Sequence, residues 1–99
     1  MHTVTLDGKE YILRCDVNAY ETIVAKHGDI KTATNITDED ATGKVVFLLT
    51  TLINEHLMYI GDRELLTEKR VSMLLYPRDV SKAYEAVMEE INEAFAPKN

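Results

Sequence analysis

Hydrophobic positions along this chain first alternate and then change to helical spacing. Val4 and Leu6 face one way and Thr3 and Thr5 the other, and beyond Asp7-Gly8 the residues Tyr11 and Leu13 share a face. Period-two alternation about Asp-Gly predicts a β-hairpin over 3–14, because a type I′ turn needs positive φ at both central residues. Pairing about that turn sets Val4 opposite Tyr11, on the side of Leu6 and Leu13. A turn at Gly8-Lys9 keeps the same face but brings Asp7 against Glu10, two like charges across a pair. A lone hairpin is marginal in water, so its apolar face is expected to lie on helices.

From Asp16 the spacing becomes helical. Asp16 is placed to cap a first helix, in which Val17, Tyr20, Ile23, Val24 and His27 follow helical intervals. Gly28 suits the left-handed position after its end. Asp29 to Asn35 reads as a polar, Thr-rich connection. Thr37, followed by Asp38, Glu39 and Asp40, offers an N-cap hydroxyl and acidic groups to a second helix, expected from near Asp38 to about Tyr59.

That second helix is the organising element. Val45, Leu48, Leu49, Leu52 and His56 form one stripe, and Val46, Phe47, Ile53, Leu57 and Ile60 widen it to most of the circumference. A helix apolar on nearly all sides is a buried one. Thr50 and Thr51 interrupt the run, and Asn54, Glu55 and His56 end it well short of the about 20 residues of a membrane span. Gly43 inside it costs roughly 1 kcal/mol against alanine. It marks a bend, a close contact or the true start.

Gly61 and Asp62 end the central helix. Thr67 caps a short third helix, with Glu68 beside it and Val71, Met73, Leu74 and Leu75 behind. Tyr76-Pro77 stops it, since the residue before proline avoids helical angles, and Pro77 suits the first turn of a last helix. That helix carries Val80, Tyr84, Val87, Met88, Ile91 and Phe95 on one stripe, with Lys82, Glu85, Glu89, Glu90 and Glu93 on a solvated face. Pro97 ends it. The expected fold class is α+β. An N-terminal β-hairpin packs on a mostly helical part over 16–97, with about four helices around a buried central one, in a single domain, 1–99.

Composition narrows the function classes. At 99 residues with 45% apolar content, the chain fills one core and lacks the profile of a disordered segment. A net charge of -6 disfavours nucleic acid and anionic membrane surfaces as partners and otherwise serves solubility. Cys15 is the single cysteine, so no internal disulfide forms. With no basic-then-apolar leader, a reducing cytoplasm is the expected compartment.

Candidate chemistry is sparse. Asp38-x-Asp40-x-Thr42-Gly43-x-Val45 matches the early positions of a calcium loop, but the closing position is Leu49 instead of a bidentate glutamate. A helix start is the better reading. His2, His27 and His56 lack zinc-type spacing, and Glu55-His56 lacks the second histidine of a zincin motif. Asp16 beside Cys15 raises the thiol pKa, the wrong direction for a nucleophile. Ser72 and Ser81 sit in no nucleophile elbow, and no Gly-rich phosphate loop occurs. No catalytic residue, metal ligand or cofactor is expected, and the partner-binding residues are unknown at this level.

The ordered set of motifs resembles a known family. Asp7-Gly8-Lys9-Glu10-Tyr11, then Leu13-Arg14-Cys15-Asp16-Val17-Asn18-Ala19, then an acidic helix closing on Gly28, resembles the opening of the tail assembly chaperones of tailed bacteriophages. The helix from Lys44 to Glu55 and the later Leu65-Leu66-Thr67-Glu68 look like that family too. Cys15 departs from it, standing where an aromatic or polar residue is commoner. The resemblance implies a small, non-enzymatic protein of the bacterial host cytoplasm. Such a protein binds the long helical tape measure protein while the tail tube polymerises, in a phage or prophage. It also implies contact with the tail tube protein for a longer, frameshifted form, whereas this chain resembles the short form. Homo-oligomers are compatible with it. A small structural virion component or a regulatory binding module is the alternative. Met58, Met73, Met88, Tyr59 and Tyr76 would be adaptable contact residues in such a role. The ordinary expectation for each is core.

Overall fold

A computed structural model of the protein describes residues 2–37 and 39–97. Strands β1 (Thr3–Leu6) and β2 (Lys9–Ile12) form an antiparallel hairpin in which Val4 faces Tyr11 and Leu6 faces Lys9. The turn is therefore Asp7-Gly8. Both residues have positive φ, 51° and 83°, as a type I′ turn requires. The alternative that opposes Asp7 to Glu10 is not adopted. Val4, Leu6 and Leu13 are buried on one face, against the helices.

Among the described residues five α-helices come after the hairpin: α1 (Val17–His27), α2 (Ile30–Thr34), α3 (Ala41–Tyr59), α4 (Glu68–Leu74) and α5 (Val80–Phe95). A 3-10 turn, Pro77–Asp79, leads into α5. The architecture is the expected α+β arrangement, and α3 lies at its centre, touching α1, α2, α4, α5 and β2. Every residue from Lys44 to Thr50 is buried, as are Leu52 and Ile53. Burying a Leu, Ile, Val or Phe side chain contributes about 1.5–3 kcal/mol before entropy is counted. This run is the largest single contribution to the core.

Three caps stand as the sequence suggests. The Asp16 carboxylate accepts from the Ala19 amide at 3.0 Å and starts α1. The Thr67 hydroxyl accepts from the Arg70 amide at 3.0 Å and starts α4. The end of α3 closes on Gly61, with the Asp62 amide donating to the Leu57 carbonyl and the Gly61 amide to the Met58 carbonyl. That pair of bonds is a Schellman motif.

Four expectations are corrected. The segment after Gly28 is not all connection: Asp29 accepts from the Thr32 amide at 2.7 Å and caps α2, whose Ala33 is fully buried. Thr37 does not cap the central helix. Its amide and hydroxyl both donate to Asn35 Oδ1, which makes a local turn, and α3 begins at Ala41. The buried Lys44 holds that turn, its Nζ donating to the Asn35 carbonyl at 2.9 Å. Asp38, the expected start of the helix, lies outside the described residues.

The other two corrections concern which side chains face inward. In α1 the buried residues are Ala19 and Ile23, while Val17 is 70% exposed and Tyr20 lies at the surface. The inward face of α1 is therefore centred on Ala19 and Ile23, and the two leading residues of the expected stripe fall outside it. Ile60 lies beyond the last turn of α3 and is exposed. Gly43 is a close contact: a Cβ there would collide with the Asp40 carboxylate.

Candidate functional site

A polar cluster joins the hairpin, α1, α3 and α5. Arg14, just past β2, donates from Nε to Asp16 Oδ2 at 3.0 Å, and its guanidinium lies 3.7 Å from the centre of the Tyr59 ring. Its amide donates to the Leu52 carbonyl of α3 at 3.1 Å. The next amide, of Cys15, donates to Glu90 of α5 at 3.3 Å. Glu55 of α3, only 6% exposed, accepts from Asn18 Nδ2 at 3.0 Å. One short segment, 14–18, is thereby tied to both long helices.

The electrostatics of this cluster are those of a structural junction. Burial, and then the neighbouring Asp16 carboxylate, hold the Glu55 pKa above its ordinary value despite the Asn18 bond. Burial alone would raise Asp16 as well. Hydrogen bonds from Glu55, the Ala19 amide and Arg14 outweigh it, and the Asp16 pKa lies below its ordinary value. Burial first, then the charges of Glu90, Asp16 and Glu55, push the Cys15 thiol up to about 11. Cys15 is therefore a neutral thiol at physiological pH and a poor nucleophile.

The histidines stay apart, each with its own neighbours. His2 reaches Glu89 and Glu93 on the outer face of α5, at 3.2 Å and 2.6 Å. The ring of His27 packs edge-on against Phe47, with Nε2 buried and unpartnered among the described residues. His56 lies half-buried near the end of α3. Among the described residues no group of His, Cys, Asp or Glu is arranged to hold a metal ion, and no helix is long and apolar enough to cross a membrane. The first position of the calcium-like motif, Asp38, lies outside the described residues.

The surface carries more apolar side chains than the sequence pattern suggests. Core is the ordinary expectation for Met58, Tyr59, Met73 and Tyr76, yet all four are exposed, Tyr59 by 67% and Met73 by 63%. Met88 is half-buried. Two groups stand out. Tyr20 of α1 and Phe95 of α5 stack edge to face with ring centroids 5.7 Å apart, both exposed, and Val17 is exposed one turn earlier on α1. At the other group, Met58 and Leu65 line a cleft of about 220 Å³ with Thr22, Phe47 and Thr51, between α1 and α3. Tyr59 and Ile60 come next to Met58 at the surface.

Spacing alone assigns Val17, Tyr20 and Phe95 to core stripes. Their position is the signal against that assignment. Val17 opens its helix directly after the cap and Phe95 closes its helix just before Pro97. Comparison of the chain with protein-family models, with curated proteins and with solved structures finds no match.

Proposed function

We propose that this chain is a non-enzymatic tail assembly chaperone of a tailed bacteriophage or prophage. It works in the cytoplasm of the bacterial host, holding the tape measure protein soluble while the tail tube assembles. The motif resemblance from Asp7 to Ala19, from Lys44 to Glu55 and from Leu65 to Glu68 motivates the reading. The observation that carries it is the set of exposed apolar side chains left over after the core is complete. A holdase for a long amphipathic helix needs apolar surface that its own fold does not use. The Val17, Tyr20 and Phe95 group on α1 and α5 is such a surface, and so are Met58, Tyr59, Ile60 and Leu65 around the end of α3. The solvated carboxylates of α5, Glu85, Glu89 and Glu93, keep a loaded complex soluble.

Co-expression with the tape measure protein tests this. The expected result is soluble client carrying several chaperones per chain, measured by pull-down and mass analysis. The complex should survive high salt, because burial rather than ion pairing holds it. Phe95→Asp should reduce the recovered client while leaving the fold intact. A client that stays insoluble argues for a structural virion component instead. A complex dissolved by moderate salt moves the contact to the acidic face of α5.

A further inference from the structure

The open edge of β1 borders a groove of about 630 Å³, walled on its far side by the end of α4, the 3-10 turn and α5. The hairpin register says what that edge offers. The Leu13 amide donates to the His2 carbonyl at 2.9 Å, and Val4 faces Tyr11. Hydrogen-bonded pairs alternate along an antiparallel ladder, so His2, Val4 and Leu6 exchange bonds with β2. Thr3 and Thr5 are left with their N–H and C=O groups directed away from β2. Both residues are exposed and both line the groove. Among the described residues their backbones bond to no element outside the hairpin. An unpaired edge of this kind is a template for a further strand.

The open edge is long enough for one strand, and the groove floor is apolar. Leu75 and Ala83, both buried, line it with the half-buried Ala86. The two alanines leave room where larger side chains would fill it. From Thr3 to Asp7 the edge extends about 13 Å, the length of four or five paired residues. The charges favour a cationic occupant. Asp7, Asp79, Glu85 and Glu89 border the groove against Arg78 and Lys82, an excess of acid. Glu89 is held beside the start of β1 through His2, at 3.2 Å. The acidic end of the groove therefore lies next to Thr3.

We propose that this groove takes an extended, net-basic segment of a partner protein as a third strand, paired through the backbones of Thr3 and Thr5. Alternate side chains of the segment point at Leu75, Ala83 and Ala86, and a lysine or arginine meets Glu85 and Glu89. A second copy of this chain is a poorer occupant. Its own edge, Thr3 to Asp7, carries no cation and ends on an acid, and each copy brings a charge of -6. The proposal is independent of the tape measure reading, which concerns helical clients on other surfaces.

The test uses the full chain and a capped hexapeptide alternating valine and lysine, with an alternating valine and glutamate peptide as control. Hydrogen exchange read by NMR should show the Thr3 and Thr5 amides slowed about tenfold once the basic peptide exceeds its Kd tenfold. The Val4 and Leu6 amides, already bonded in the hairpin, should change little. Thr5→Pro removes an outward N–H without touching the ladder and should abolish the effect. Glu85→Lys, on the exposed face of α5, should weaken it with the fold unchanged and serves alone if the proline variant does not fold. The proposal is overturned if millimolar basic peptide leaves both amides unprotected, or if the glutamate peptide binds equally well. Protection undiminished by Glu85→Lys overturns it, and so does protection of these amides by self-association without peptide.

Discussion

The side chain of Asn54 supplies the two-bond pattern of a neighbouring strand. Its Nδ2 donates to the Leu66 carbonyl at 2.7 Å and its Oδ1 accepts from the Leu66 amide at 2.8 Å. Leu66 is half-buried, and the next residue, Thr67, caps α4. Asn54 therefore sets where the chain leaving α3 turns back into a helix. Each bond contributes about 0.5–1.5 kcal/mol net, and a backbone group left buried and unpaired costs about 1–3 kcal/mol. The exposed stretch from Gly61 to Leu65 can turn toward water when the clamp is lost, so the lower figures apply. Asn54→Ala is expected to destabilise by about 1–3 kcal/mol, which for a domain of this size lowers Tm by roughly 4–24 °C. Asn54→Asp keeps the acceptor and sets a carboxylate against the Leu66 carbonyl, so at neutral pH it should cost no less. Urea unfolding with unchanged slope measures the loss, and amide exchange at Leu66 and Arg70 locates it. An Asn54→Ala midpoint equivalent to wild type within about 0.5 kcal/mol, with Leu66 exchange unchanged, would refute the clamp.

Leu49 and Leu52, both fully buried on α3, should each cost about 2–5 kcal/mol on truncation to alanine, whereas Glu89→Ala on the surface of α5 should stay within about 0.5 kcal/mol. Equal denaturation midpoints for the three variants would show that α3 is not the core. Glu55→Gln tests the buried junction through pH. The raised Glu55 pKa means the folded state holds this proton more tightly than the unfolded state, so its cost appears as pH rises through the ordinary carboxylate range. Asp16, with its lowered pKa, has the opposite sign and loses its stabilisation as pH falls. Glu55→Gln should therefore gain on wild type over the interval that starts in the ordinary carboxylate range, about pH 4, and runs upward. A stability difference that is flat across that interval would remove the burial cost from the account.

Much of the fold was legible because local chemistry and periodicity agreed. Asp7-Gly8 admits the positive φ of a type I′ turn, and the alternation on either side then leaves one register that buries Val4, Leu6 and Leu13 together. Asp16 and Thr67 capped the helices they preceded. The run from Val45 to Ile53 carried too few polar positions to be anything but central. The short helix α2 was not legible, since five residues are too few to show a period. Its cap, Asp29, and its one buried residue, Ala33, look like ordinary loop residues until α3 lies beneath them.

Periodicity alone determined which residues share a helical face, because that follows from backbone geometry. Only the tertiary structure decided which face turned inward and how far along each helix the cover extended. In α1 the buried face is that of Ala19 and Ile23, and Val17 and Tyr20 stay outside. Phe95, Met58 and Tyr59 lie in the last turns of their helices, and their side chains stay at the surface. Lys44 and Glu55 are buried in α3 because the Asn35 carbonyl and the Asn18 amide reach them from other segments. Burial of a charge depends on partners distant in sequence, and no local pattern records where those partners will be.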